Sequence, residues 1–123
     1  MSEAHSHVVA IVDDDAAVLE SFQFLLEVAG FPVAAYASAH AFLASPFTRP
    51  RCLIVDQNMP TMTGLELAAQ LRAAGVDVPV MLVTSAPTPG IEARARAIGV
   101  RGVLAKPLPE DEVFAFIRSC EPG

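Results

Sequence analysis

The sequence predicts an α/β domain built on a parallel sheet with helices on both faces. Three observations carry that expectation. Five apolar, β-prone runs alternate with five stretches of helical periodicity along the 123 residues. The third run, Cys52-Leu53-Ile54-Val55, is apolar at every position, the pattern of a strand buried on both faces. Gly30, Gly75 and Gly99 each follow a helical stretch, and the prolines cluster at element ends.

Residues 1–7 are polar and aperiodic and read as a loose tail, in which His5 and His7 form no specific metal site. The first strand is Val8 to Val12, ending in Asp13-Asp14-Asp15. A helix follows, with Val18, Leu19, Phe22, Leu25, Leu26 and Ala29 as one apolar stripe. Asp14 or Asp15 can cap it, and Gly30 stops it. Val33 to Tyr36 is a weaker strand. Ser38 caps a short helix through Leu43, which Ser45-Pro46 ends, and the segment Pro46 to Pro50 leads into the central strand. The third helix runs from Thr63 or Gly64 to Ala74, with Leu65, Leu67, Ala68 and Leu71 apolar. Val78 to Val83 is the fourth strand, with Pro79 near its start, where a missing donor is tolerated. Thr88-Pro89 opens a fourth helix from Ile91 to Ile98, whose stripe is thin: Ile91, Ala95, Ile98. Gly102 to Ala105 is the fifth strand. Glu110, Asp111 and Glu112 suit the dipole at the start of a last helix, with Val113, Phe116, Ile117 and Cys120 on its apolar face.

Composition narrows the function. At 53% hydrophobic residues and a mean hydropathy of +0.45, the chain can fill one domain core, residues 8–120, between terminal tails at 1–7 and 121–123. No apolar run approaches a membrane span and no signal-peptide pattern opens the chain, so it reads as cytoplasmic with no membrane partner. A net charge of −6 argues against nucleic acid as a direct partner and suits an acidic site filled by a cation. Cys52 reads as a small core residue and Cys120 as an exposed one near the chain end, both as free reduced thiols.

In a parallel sheet all strand ends lie at one edge, where ligands collect. The first strand brings Asp13 and Asp14 there, the third Asp56, the fourth Thr84 and the fifth Lys106. Three converging carboxylates repel one another unless a cation neutralises them, and oxygen-only ligands suit Mg²⁺. Metal, ammonium and hydroxyl together match the needs of a transferring phosphoryl group, with Asp56 as the nucleophile forming an aspartyl phosphate.

Ile11-Val12-Asp13-Asp14, Asp56 with Met59-Pro60 and Gly64, Val83-Thr84-Ser85 and Lys106-Pro107 stand in the order and spacing of a known family. From Val8 to Ser119 the chain resembles the receiver domain of two-component response regulators. The resemblance implies a flavodoxin-like three-layer sandwich with sheet order 2-1-3-4-5. It implies that Asp56 is the phosphoacceptor and that a sensor histidine kinase or a histidine phosphotransfer protein is the donor. It makes Asp14 a direct Mg²⁺ ligand, Asp13 its water-mediated neighbour, and the Asn58 backbone carbonyl a further ligand. Thr84 becomes the switch hydroxyl and Lys106 the phosphoryl contact. Pro107 would follow a cis peptide, and Gly64 is a structural position closing the loop. The face made by the fourth helix, fifth strand and fifth helix would meet a downstream protein. Two departures concern that output: Val103 stands where the family often has Tyr or Phe, and Pro87 and Pro89 stiffen the segment after Thr84.

The chain thus reads as a stand-alone receiver, signalling by a protein contact or a phosphoryl relay and not an enzyme beyond its own phosphorylation and dephosphorylation. The alternative is a phosphoaspartyl phosphatase or phosphotransferase of the haloacid-dehalogenase-like group. That chemistry wants an acid two residues after the nucleophile, and Asn58 cannot donate a proton. A flavin-binding module would want a Ser/Thr/Gly-rich phosphate loop where three aspartates stand.

Overall fold

A computed structural model describes residues 7–45 and 49–120. His5, Pro46 and the residues 121–123 assigned to the C-terminal tail lie outside the described residues. The elements alternate as β1 (Val9–Val12), α1 (Ala16–Val28), β2 (Val33–Tyr36), α2 (Ala39–Leu43) and β3 (Cys52–Asp56). They continue as α3 (Gly64–Ala73), β4 (Val80–Thr84), α4 (Pro89–Ala97), β5 (Gly102–Ala105) and α5 (Glu110–Ser119). All strand pairs are parallel, in the order β2-β1-β3-β4-β5. The expected sheet order is therefore present.

Strand alternation divides the core in two. Ala10, Val12, Leu53, Val55, Val80 and Leu82 face one side and pack against α2, α3 and α4 through Phe42, Leu67, Leu71 and Ala95. Val9, Ile11, Cys52, Ile54, Met81 and Val83 face the other and pack against α1 and α5 through Phe22, Leu26, Phe116 and Ile117. Three layers result, and the central strands β1, β3 and β4 are buried at every position.

Four local expectations are corrected. The fourth strand starts at Val80, because Val78 and Pro79 belong to the approach to it: the Val78 carbonyl is held by Arg72. The first strand starts at Val9, one residue late. The stripe of α1 is narrower than its periodicity suggests: Phe22 and Leu26 are buried, Ala29 is exposed as the C-cap, and Phe24 and Val28 stand out in solvent. Cys120 is 1% exposed, because the last turn of α5 folds it under the helix against Phe116 and the sheet.

Helix ends are satisfied as their sequences allow. Asp15 is the N-cap of α1, accepting from the amides of Ala17 (3.0 Å) and Val18 (3.2 Å), which leaves Asp14 free of that duty. Thr63 and Glu66 form a capping box on α3, and Thr88 caps α4 with Pro89 in the first turn. No described helix is long and apolar enough to cross a membrane.

Candidate functional site

The strand register aligns the chemistry. Asp56 pairs with Val83 across β3 and β4, and Thr84 pairs with Ala105 across β4 and β5, so Lys106 leaves β5 level with both. Asp13 follows β1, whose Val12 pairs with Val55. Asp13, Asp56 and Thr84 are all buried, at 8%, 4% and 1% exposed, while Asp14 lies open to solvent. Asp13, Asp14 and Asp56 each offer a carboxylate oxygen, and these atoms lie within 4.8 Å of one another.

Lys106 crosses this cluster. Its Nζ is 3.1 Å from Asp56 Oδ1 and 3.5 Å from Asp13 Oδ2. The ammonium lies off the direction of a good hydrogen bond, so Asp56 Oδ1 is a buried acceptor with an ion-pair partner but no aligned donor. Burial pushes the Asp56 carboxyl above the ordinary range. The close approach and positive charge of Lys106 offset part of that, and the negative charge of Asp13 adds to it. Lys106 shows the complementary effect: burial pulls its ammonium down, but the ion pair with Asp56 and the charges of Asp13 and Asp56 outweigh it, and the net shift is upward.

Thr84 Oγ1 accepts two hydrogen bonds, from Asn58 Nδ2 at 3.2 Å and from the Ala86 amide at 3.2 Å. The hydroxyl proton is then the group left to donate. The Lys106–Pro107 peptide is cis, as the resemblance implies.

Gly64 has a steric reason. A Cβ there would sit 2.5 Å from Leu82 Cδ1 and 2.8 Å from the Asp56 carbonyl oxygen, so α3 begins hard against the end of β3. Gly64→Ala is expected to cost about 2 kcal/mol, the scale of overpacking, because a backbone atom cannot step aside as a side chain can. Urea denaturation measures it, and a variant as stable as the parent would show that the helix start can slide.

Sequence reasoning missed Gln57. Its side chain is buried and accepts from the Leu65 amide at 2.9 Å, while its carbonyl accepts from Met59 and Gly64. It therefore ties the loop after Asp56 to the first turn of α3. The available signal was a polar residue directly after a strand end, which a turn explains equally well. Thr61, in the same loop, has φ of 73°, unusual for a β-branched residue.

Comparison with known proteins agrees with this geometry. The chain is 36% identical over 112 residues to the transcriptional regulatory protein FixJ of Azorhizobium caulinodans, covering 90% of this chain and 53% of that one. It is 33% identical to the response regulator protein TodT of Pseudomonas putida, covering 91% of this chain and 50% of that one. The chain thus spans about half the length of these curated relatives. Among solved structures, FixJ-N superposes with a TM-score of 0.84 at 30% identity, covering 98% of this chain and 94% of that one. The Vibrio cholerae chemotaxis protein CheY4 superposes at 0.82 with 26% identity, covering 93% and 98%. Residues 9–118 match the response regulator receiver domain, and with the acids, threonine and lysine of its sheet edge in place the chain belongs to that family.

Proposed function

We propose that Asp56 accepts a phosphoryl group, in the cytoplasm, from a sensor histidine kinase or a histidine phosphotransfer protein, and that the phosphorylated domain presents an altered surface to a downstream protein. The carrying observation is Asp56 itself: a buried carboxylate with an unaligned oxygen, beside a fixed ammonium and two further acids at the carboxyl edge of the sheet. In this step an Asp56 oxygen attacks phosphorus, the P–N bond of the donor phosphohistidine breaks, and the electron pair leaves with the imidazole. Lys106 holds positive charge where the phosphoryl oxygens arrive. Thr84, already accepting from Asn58 and Ala86, donates its proton to one of them.

The residues fit Mg²⁺: the donors are all oxygen, three of them gather within 4.8 Å, and one is buried without an aligned partner. Asp13, Asp14, Asp56 and the Asn58 backbone carbonyl would hold the ion. When bound, it offsets the charge of the carboxylates and of the phosphoryl oxygens. The reading is tested by incubating the chain with acetyl phosphate, with and without Mg²⁺, and recording intact mass. One phosphoryl group gained only with Mg²⁺ is expected; no gain under either condition would refute the reading.

Metal affinity should separate the two neighbouring acids. Asp14→Ala is expected to weaken Mg²⁺ binding roughly tenfold or more and Asp13→Ala less, since Asp14 is read as the direct ligand and is not engaged as a helix cap. Asp14→Ala should also raise metal-free stability by relieving like-charge crowding, whereas Asp13→Ala gives up the ion pair with Lys106 at 3.5 Å and the hydrogen bond from the Asp15 amide at 2.9 Å. A Mg²⁺ titration of the parent and both variants checks the ranking, and equal affinities would count against it.

Output should appear in the loop after Thr84 and at the start of α4. Val103 is too short to swing inward as an aromatic would, and its branching restricts rotation. The Thr84 hydroxyl is bonded to the Ala86 amide, so its movement pulls on residues 86–90 directly. Of the residues of α4 only Ala95 is buried, fewer than in any other helix, which makes it the helix most weakly held to the core. Amide NMR with a phosphoryl mimic should show the largest shifts in residues 86–95. Changes centred on Val103 and α5, with that segment silent, would sink the idea.

A further inference from the structure

Gln57 stands between Asp56 and Asn58, two residues of the phosphoryl site, yet its own side chain reaches α3 instead. The residue is held at three points. Its amide donates to the Val83 carbonyl at 2.7 Å, which ties it to β4. Its carbonyl accepts from the Met59 amide at 3.1 Å and from the Gly64 amide at 3.3 Å. Its side-chain Oε1 accepts from the Leu65 amide at 2.9 Å. The bond from Met59 closes a three-residue turn with Asn58 at its centre. Among the described residues, Asn58 takes part in no backbone–backbone hydrogen bond of its own. The direction of its carbonyl is therefore set by Gln57 on one side and by the buried Met59 on the other.

We propose that Gln57 is a positioning residue for the metal: its side chain, by holding the first turn of α3, fixes the turn that sets the Asn58 carbonyl, one of the groups that would hold Mg²⁺. The inference rests on the reading of this edge as a Mg²⁺-dependent phosphoacceptor site. Four amides open α3 without a partner inside the helix. The capping box satisfies those of Thr63 and Glu66, and Gln57 satisfies those of Gly64 and Leu65. Leu65 is buried, so without the Gln57 side chain its amide loses its acceptor in a place that water does not reach. The amide then finds water only if the first turn of α3 moves outward. That movement draws Gly64 off the Gln57 carbonyl and loosens the turn around Asn58. Gln57 carries no charge, so its effect on the ion runs through geometry and not through the field of the site.

The test is a Mg²⁺ titration of the parent chain, Gln57→Met and Thr63→Ala, followed by amide NMR. Gln57→Met keeps the side-chain length and the charge and removes the accepting oxygen. Its Mg²⁺ affinity is expected to fall about tenfold, the scale for a group that orients a metal ligand. The Mg²⁺ concentration giving half-maximal labelling by acetyl phosphate should rise by the same factor, with the rate at saturating Mg²⁺ within about twofold of the parent. Thr63→Ala weakens the same helix end through its capping box and leaves Gln57 in place, so its affinity should stay within about twofold of the parent. Coupling is reciprocal, so in the parent Mg²⁺ should slow hydrogen exchange of the Leu65 amide, a readout that needs no variant to fold. Three results would each overturn the inference and leave the phosphoryl site standing: Gln57→Met binding Mg²⁺ as tightly as the parent, Thr63→Ala weakened as much as Gln57→Met, or Leu65 exchange unchanged by Mg²⁺. A parent chain that binds no Mg²⁺ would overturn both.

Discussion

Asp56→Asn is expected to abolish phosphoryl labelling, from one group per chain to none, under conditions in which the parent is fully labelled. The substitution keeps the shape and removes the nucleophile. Thr84 and Lys106 stay in place, so a loss of labelling reports chemistry and not collapse of the site. Labelling equal to the parent would place the acceptor elsewhere. The same variant should unfold at a higher temperature at neutral pH. The Asp56 carboxyl is raised chiefly by burial, so the folded chain holds that proton more tightly than the unfolded one. Stability therefore falls as pH rises from the ordinary carboxylate value through the raised folded value. Asp56→Asn lacks that loss, so its gain is full above the folded pKa and vanishes below the ordinary one. Lys106 works on the alkaline side: its raised value gives stability that is present below the ordinary ammonium pKa and lost as pH climbs through the folded one. Thermal melts of parent and variant across pH check both signs.

Arg72→Ala is expected to lower stability by about 3 kcal/mol, the largest loss from a residue outside the cores and the phosphoryl site. Its guanidinium donates to the carbonyls of Ile98 and Gly99 at 3.0 and 3.2 Å, and to those of Val76 and Val78, both at 3.0 Å. One side chain on α3 thus binds together the entry to β4 and the end of α4. Arg72→Lys should recover little, because an ammonium lacks the planar fork that reaches four acceptors. Urea denaturation of the three proteins measures this, and a loss under about 1 kcal/mol would mean that water replaces the bonds.

The unbroken apolar runs Val9–Val12 and Cys52–Val55 announced central strands, because a strand covered on both faces leaves no position for a polar side chain. Thr63, Thr88 and Gly30 marked helix ends by local hydrogen bonding and backbone freedom, which need no distant partner. The gathering of Asp13, Asp14, Asp56, Thr84 and Lys106 is legible in the sequence, since parallel topology alone brings their strand ends to one edge.

Other features depend on contacts between segments far apart in sequence, and only the tertiary structure decided them. Periodicity placed Ala29 on the stripe of α1, yet it is exposed, because the sheet beneath that helix covers only part of the stripe. Position near a chain end suggested exposure for Cys120, whereas the final turn of α5 turns it inward. Gln57 and Arg72 read as ordinary polar residues until the carbonyls and amides they satisfy were in place. The bond from Asn58 to Thr84 joins the loop after β3 to the end of β4, a meeting that no local pattern encodes. What the sequence determined by itself is the alternation of elements and the chemistry at their ends, because both are written in local patterning. What the tertiary structure decided is which polar group meets which, because that depends on how elements settle against one another after the chain has folded.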